Sequence, residues 1–255
     1  MKKTLIIVFV SFLALFIFLL LLVNNSKNNY VIFDNNLFLS INNNKILEVS
    51  SESLYNQTYH AFYQKEYIGK YELYNIDDEY GKLFFSNSES SDAYSFETPY
   101  LAVTSGIEVV PFEILDGEIT DLSFLTYDFD KHWIESVDDL DLFKKIVFDV
   151  DNDNVDEVIY YASYWNELDD GLDYDTSFSI VFLVDNNKVH LLNEANPYET
   201  YIEEDEAFYT MDSLALEYLF EVDNSIMMVV SIKSTDVSFY SIYEFNGESL
   251  ICNYS

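Results

Sequence analysis

The hydrophobic pattern divides the chain into two regimes. From Thr4 to Val23 it reads TLIIVFVSFLALFIFLLLLV, with no charge and with Thr4 and Ser11 as its only polar members. Beyond that run, short apolar stretches alternate with clusters of Asn, Asp and Gly. The first pattern predicts one helix. At 1.5 Å per residue twenty residues span about 30 Å, the thickness of a bilayer's hydrocarbon core. In lipid, only a helix satisfies the backbone of such a segment from within. The second pattern predicts strands and hairpins, because Asn, Asp and Gly tolerate the positive φ of tight turns.

Several hairpins can be placed. Tyr30 to Phe33 and Leu37 to Ile41 flank Asp34-Asn35-Asn36, and Asn42-Asn43-Asn44 leads into Ile46 to Val49. Ile107 to Leu115 and Glu118 to Leu125 enclose Asp116-Gly117. Ser177 to Val184 returns through Asp185-Asn186-Asn187 into Lys188 to Leu192, and Val237 to Phe245 returns through Asn246-Gly247 into Glu248 to Cys252. Helices are few. Ser136 to Lys145 has Ser136 three residues before Asp139 and lysines at its end, an arrangement that predicts a short capped helix. Glu203 to Leu219 is ambiguous, although Phe208, Met211, Leu214 or Ala215 and Tyr218 have helical spacing. Ser86 to Ser95 and Asn166 to Thr176 read as polar exposed loops. The fold class expected is therefore mainly β: an N-terminal transmembrane helix followed by an antiparallel β-rich ectodomain, either blade-like or a sandwich. The divisions are a cytoplasmic tail at 1–3, the anchor at 4–23, a linker at 24–29, and β-rich regions at 30–130 and 131–255.

The flanks of the apolar run bear on its fate. Lys2 and Lys3 also suit a cleaved signal, but that class has an apolar stretch of about 7 to 15 residues and small residues at its cleavage site. Here the run is longer and continues into Asn24, Asn25, Ser26 and Lys27, so an uncleaved anchor is expected. The basic flank stays in the cytoplasm, which puts the C-terminal domain in the envelope or outside the cell. That domain carries 10 lysines, no arginine and 46 carboxylates, a net charge of −36 once Lys2 and Lys3 are set aside. Such a surface repels nucleic-acid phosphates and anionic lipid headgroups. The 22 Tyr and 21 Phe supply core material that a disordered chain lacks. A lone cysteine, Cys252, excludes an intramolecular disulfide; placed in a terminal strand, it reads as packing. The lack of arginine and the excess of Asn, Ile, Lys, Phe and Tyr suggest an AT-rich bacterial genome, in which the sequons at Asn24, Asn56 and Asn253 are incidental.

Candidate chemistry concentrates at residues 146–161, IVFDVDNDNVDEVIYY. Two apolar strands enclose Asp149, Asp151, Asp153 and Glu157, at positions 1, 3, 5 and 9 of a nine-residue loop. Calcium takes six to eight hard oxygen ligands, with a backbone carbonyl among them, and Val155 at position 7 would supply that carbonyl. The alternative is an acidic turn exposed on an acidic protein. Repulsion weighs against it: like charges about 4 Å apart repel by about 1 kcal/mol in water and about 4 kcal/mol at an effective dielectric of 20. An EF-hand fits poorly, since Tyr160 stands where a bidentate Glu is needed and the flanks are not helical. Residues 146–152 also resemble 218–224 in the same frame, and Ser177-Phe178 resembles Ser238-Phe239, which suggests an unequal duplication.

The phrase VFDVDNDNVDEVIYY resembles the calcium loops of FG-GAP or VCBS-type repeats, found in integrin α-propellers and bacterial surface proteins. The likeness is confined to 146–161. It implies a structural calcium ion in a β-rich extracellular interaction module whose partner is a macromolecule or glycan. Other chemistry has less support. His60, His132 and His190 are isolated, without the spacing of a zinc site. No nucleophile elbow or glycine-rich phosphate loop occurs. Trp133 and Trp165 with Tyr160, Tyr161 and Tyr164 suit either a sugar-stacking face or a β-sheet core. The expectation is a non-enzymatic, calcium-stabilised surface module; the alternative is an extracytoplasmic hydrolase of carbohydrate or cell-wall material using a carboxylate pair.

Overall fold

The structure, a computed structural model, describes residues 29–33, 37–42, 45–63, 65–77, 82–87, 93–95, 100–117, 140–168, 171–173, 175–186, 188–203, 206–234 and 238–254. The expected anchor at 4–23 lies outside the described residues. No helix among the described residues is long and apolar enough to cross a membrane. The chain is mainly β and nearly all its strand pairs are antiparallel, as the short apolar runs and polar turns predict.

Two compact units divide at Gly106/Ile107, rather than at 130/131 as the sequence suggested. In the first unit, β1 (Asn29–Phe33), β2 (Leu37–Asn42), β3 (Lys45–Glu48), β4 (Thr58–Tyr63), β5 (Glu66–Asp77), β6 (Lys82–Asn87), β7 (Ala93–Ser95) and β8 (Tyr100–Thr104) form one sheet in the order β3-β2-β1-β8-β4-β5-β6-β7. Strand β8 closes it by inserting between β1 and β4, where Val103 faces Val31 on one side and His60 on the other. Ile32, Leu54, Tyr59, Ala61 and Leu73 pack its core. The hydroxyl of Tyr59 donates to the Leu54 carbonyl at 2.8 Å, so this buried phenol keeps a partner. Burial pushes that phenol well above its ordinary pKa.

The second unit begins with β9 (Glu108–Val110) and β10 (Leu115–Asp116), continues through β11 (Leu142–Phe148), β12 (Glu157–Tyr164), β13 (Glu167–Leu168), β14 (Gly171–Leu172), β15 (Phe178–Asp185), β16 (Lys188–Ala195), β17 (Tyr198–Glu203) and β18 (Glu206–Thr210), and ends with β19 (Ser213–Val222), β20 (Ser225–Lys233), β21 (Ser238–Phe245) and β22 (Leu250–Tyr254). Its sheets run β10-β11-β12-β15-β16, β9-β19-β20-β21-β22 and β13-β14-β18-β17. The unit boundary falls early because β9 pairs with β19 and β10 with β11, which draws residues 107–117 into the second unit. The single strand expected over 107–115 is thus two short strands serving different sheets. Its expected hairpin partner, 118–125, lies outside the described residues.

The two five-stranded sheets share a core. Ile146, Val150, Ile159, Val181 and Leu183 from one meet Leu216, Leu219, Ile226, Met228 and Val230 from the other. The opposite face of the first sheet is buried too, by Tyr160, Ala162, Phe178, Ile180 and Phe182. Tyr160 stacks on Phe143 and Phe182, with ring centroids 5.4 and 5.3 Å apart, so Tyr160 and the buried Tyr161 are core residues rather than a sugar platform. Trp165 is exposed, and Trp133 lies outside the described residues.

Both helical expectations fail within the described residues. Leu142 to Lys145 belongs to β11, where Lys144 forms an ion pair with Asp116 and Lys145 faces Tyr160; Ser136 to Asp139 lies outside the description. Glu203 to Leu219 is the end of β17, all of β18 and most of β19. Of the loop expected at 166–176, residues 167–168 and 171–172 are strands. Gly171, at φ 114°, is buried so close to the Tyr209 backbone that an added Cβ would lie 2.5 Å from its carbonyl oxygen. Strand β14 runs parallel to β18 there, a contact that leaves no room for a side chain. Cys252 does lie in the terminal strand, but it is exposed rather than packed.

Candidate functional site

The acidic loop joins β11 to β12, the first strand pair of one meander (β11-β12-β15-β16, the second being β19-β20-β21-β22), after the ladder closes with Phe148 opposite Glu157. The backbone reaches αL at Asn152 (φ 62°) and Asn154 (φ 70°), which amide side chains tolerate better than most. These turns fold the aspartates inward. Asp149 accepts from the Asp153 N–H at 3.1 Å and the Asn154 N–H at 2.9 Å. Asp151 Oδ1 accepts from the Asp153 N–H at 3.1 Å, and Asp153 Oδ1 from the Val155 N–H at 2.7 Å.

As a result Asp149, Asp151 and Asp153 each offer one carboxylate oxygen within 4.8 Å of the others. Glu157 lies outside that group. Its carboxylate is buried at 2% exposure, where Oε2 accepts from the Val150 N–H at 2.8 Å. Burial, followed by the charges of Asp151, Asp149 and Asp153, pushes the Glu157 carboxyl up to about 7 against that hydrogen bond. Asp151 is also raised, first by burial and then by its acidic neighbours. The Val155 side chain is exposed, so only its backbone is available to a site.

Three features went unread in the sequence. Asp185, at the end of β15 and 9% exposed, adds its charge to Asp151; it was read only as a turn residue. Asn152 Nδ2 donates to the Asn224 carbonyl at 3.1 Å, which ties the loop to the β19–β20 turn. Gly247 lies so close to Asp151 that a Cβ there would sit 2.6 Å from Oδ2. The last two contacts join the loop to the second meander across 72 residues or more, and only the faint likeness of 146–152 to 218–224 hinted at them. His60 lies beside Tyr67 with ring centroids 5.8 Å apart, while His190 packs edge-on against Phe245 at 5.0 Å. His132 lies outside the described residues.

Fold and loop together define a mainly β protein in which an acidic strand–loop–strand turn bridges two meanders. No protein-family model, curated protein or solved structure matches the chain.

Proposed function

We propose that this chain is a membrane-anchored, extracytoplasmic binding module whose 149–157 loop holds a structural calcium ion. The observation that carries the reading is the convergence of the Asp149, Asp151 and Asp153 carboxylates within 4.8 Å. Hard, charged oxygens at that spacing suit calcium, and alternate loop positions supply them. A divalent ion there would offset the mutual repulsion of the three aspartates and favour the ionised form of Glu157. Val155 would contribute its carbonyl and Glu157 would close the site. The likeness of 146–161 to FG-GAP or VCBS-type loops supports the same ion. The uncharged run at 4–23 supports the anchor, and Lys2 and Lys3 support its orientation. The partner proposed is a macromolecule or glycan, approached by a domain that faces a calcium-rich exterior.

The full chain in detergent micelles, stripped with EDTA and titrated with calcium, tests this. At ten times the dissociation constant, stability should rise by about 1.4 kcal/mol. Asp151→Asn combined with Asp153→Asn should abolish the rise; an equal rise in that variant would overturn the assignment. Release of soluble fragments from cell-wall polysaccharide by the same preparation would instead favour the hydrolase alternative.

A further inference from the structure

Strand β22 (Leu250–Tyr254) is the outer strand of the sheet β9-β19-β20-β21-β22. The unpaired N–H and C=O groups of a sheet edge accept a further strand, and folded proteins guard such edges with charged residues or by keeping them very short. Among the described residues the second unit has six edge strands, and five of them carry a charge, from Glu108 in β9 to Glu199 and Glu203 in β17. Strand β22 has five residues, none of them charged and none a proline. Which of its backbone groups face outward follows from the hairpin. The Asn246 N–H donates to the Ser249 carbonyl at 3.3 Å, which makes Phe245 and Leu250 a non-hydrogen-bonded pair. Alternation makes Tyr243 and Cys252 another, so the backbone N–H and C=O of Leu250 and Cys252 point away from β21. Between them Ile251 is 41% exposed, and no strand among the described residues pairs with this edge. Its one guard is a bulge at Asn253, past these three residues.

We infer that the segment Leu250–Cys252 pairs with the same segment of a second copy of this chain, antiparallel about a two-fold axis at Ile251. In that register Leu250 of each copy meets Cys252 of the other, and their outward N–H and C=O groups bond to one another. Ile251 meets Ile251 in the non-hydrogen-bonded position between them, with Cα atoms about 4.5 Å apart and side chains in contact. Charge selects this occupant. The chain carries −34, so two copies repel wherever their carboxylates oppose. Here every opposed residue is neutral, and the contact is self-complementary, as a two-fold interface requires. A cationic strand of another protein would find no carboxylate on the segment to pair with. The bulge ends the regular pairing after Cys252, and so short a contact is small beside the roughly 1,000 Å² of a lasting interface. The dimer is therefore weak and concentration-dependent, and salt strengthens it by screening the rest of the two acidic surfaces. The Cys252 thiol lies opposite Leu250 and takes no part.

The inference does not rest on the calcium reading, and its test is run in EDTA. Sedimentation of the full chain in micelles, at rising protein concentration, should show a monomer–dimer equilibrium that tightens as NaCl is raised to about 300 mM. Ile251→Glu, at an exposed position, sets two carboxylates face to face on the axis and should weaken the dimer about tenfold. Cys252→Pro removes an outward N–H, a loss that a sheet edge tolerates, and should weaken it as much. Association through the apolar run at 4–23 would be untouched by either change. Cys252→Ser should leave the dimer as it is. In that background Ile251→Cys brings two thiols together across the axis, at a Cα separation within disulfide range. Diamide joins two thiols into a disulfide by taking up their two electrons and two protons as it becomes the hydrazine. It should cross-link the Ile251→Cys protein about tenfold faster than it cross-links the native chain through Cys252, although both thiols are exposed. Equal rates would overturn the inference, as would a chain that stays monomeric or a dimer that salt weakens. So would undiminished association of the folded Ile251→Glu and Cys252→Pro proteins.

Discussion

The two meanders of the second unit reverse their first strand pair in very different ways. Between β19 and β20 the chain needs two residues, Asp223 and Asn224, both at positive φ (52° and 67°), with Val222 paired to Ser225. That is the primed turn whose twist matches a right-twisted hairpin. Between β11 and β12, Phe148 and Glu157 are paired across a loop of eight residues, four of them Asp149, Asp151, Asp153 and Asp156. Strand reversal therefore does not require the longer loop, and its carboxylates are additional to the fold. The comparison also corrects the internal repeat. Ile146 and Tyr218 occupy corresponding strands, but Ile146 faces the shared core and in the second meander Leu219, not Tyr218, does so. Phe178 and Phe239 both sit at the start of a third strand, yet one is fully buried and the other 57% exposed. The likeness lies in connectivity, while the faces are exchanged, as a one-residue slip in a strand exchanges them.

The largest expected effect breaks the core that the meanders share. Ile159→Ala in the first and Leu219→Ala in the second each remove a fully buried side chain. Each should cost about 2 to 5 kcal/mol. Because both residues belong to one cluster, either change should lower the same thermal transition by calorimetry. Two transitions, of which each variant moves only one, would show that the meanders unfold separately.

Next comes the titration of Glu157, which only the longer loop possesses. Its carboxyl is raised from 4.5 to about 7, so the folded state holds the proton more tightly than the unfolded chain does. The stability it contributes is complete below about pH 4.5 and is lost as pH rises through about 7. At about 1.4 kcal/mol for each tenfold change in proton affinity, this ranks second. In EDTA the protein should therefore lose stability from pH 5 to pH 8 by more than Glu157→Gln does. A steeper loss in the variant would contradict the assignment.

The legibility of the fold follows from the same contrast. The β15–β16 and β21–β22 hairpins could be read because polar turn residues interrupt apolar runs. In the latter, Asn246 Oδ1 accepts from the Glu248 and Ser249 amides at 3.1 and 2.9 Å, so the Asn-Gly signal rests on a local side-chain turn. Strand β19 was misread because Leu214 and Leu216 line one face, a bulge follows, and then Tyr218 and Phe220 are buried on the other face. Burial on both faces erases the period of two and leaves a spacing that imitates a helix. The parallel β14–β18 contact rests on Gly171 approaching a backbone 38 residues away, which no local pattern encodes. At the site, spacing alone brought the three aspartates together. Asp185 reaches the loop across the β12–β15 pairing, and Asn224 and Gly247 reach it only through the packing of two sheets, so the sequence held no direct trace of them.

A smaller effect separates turn strain from ion binding. Asn224→Ala puts a Cβ-bearing residue without a local hydrogen-bonding side chain at φ 67°. It should cost about 1 to 2 kcal/mol, while Asn224→Gly should be nearly neutral. Neither should move the midpoint of a calcium titration. A shifted midpoint would mean that the short turn takes part in the site.

The smallest effect tests the Asn152–Asn224 hydrogen bond that joins the two turns. Asn152 and Asn154 both adopt the left-handed conformation, so glycine at either position removes side-chain groups without adding backbone strain. Among the described residues, Asn152 of these two reaches across to the second meander, through Nδ2 to the Asn224 carbonyl. The difference between Asn152→Gly and Asn154→Gly in denaturant unfolding therefore isolates that contact. A net hydrogen bond predicts about 0.5 to 1.5 kcal/mol more loss for Asn152→Gly. Because the acceptor is a backbone carbonyl, no change at Asn224 can mimic the result. Equal losses would mean that the acidic loop is held by its own Asp–amide bonds alone, and that the second meander only borders it.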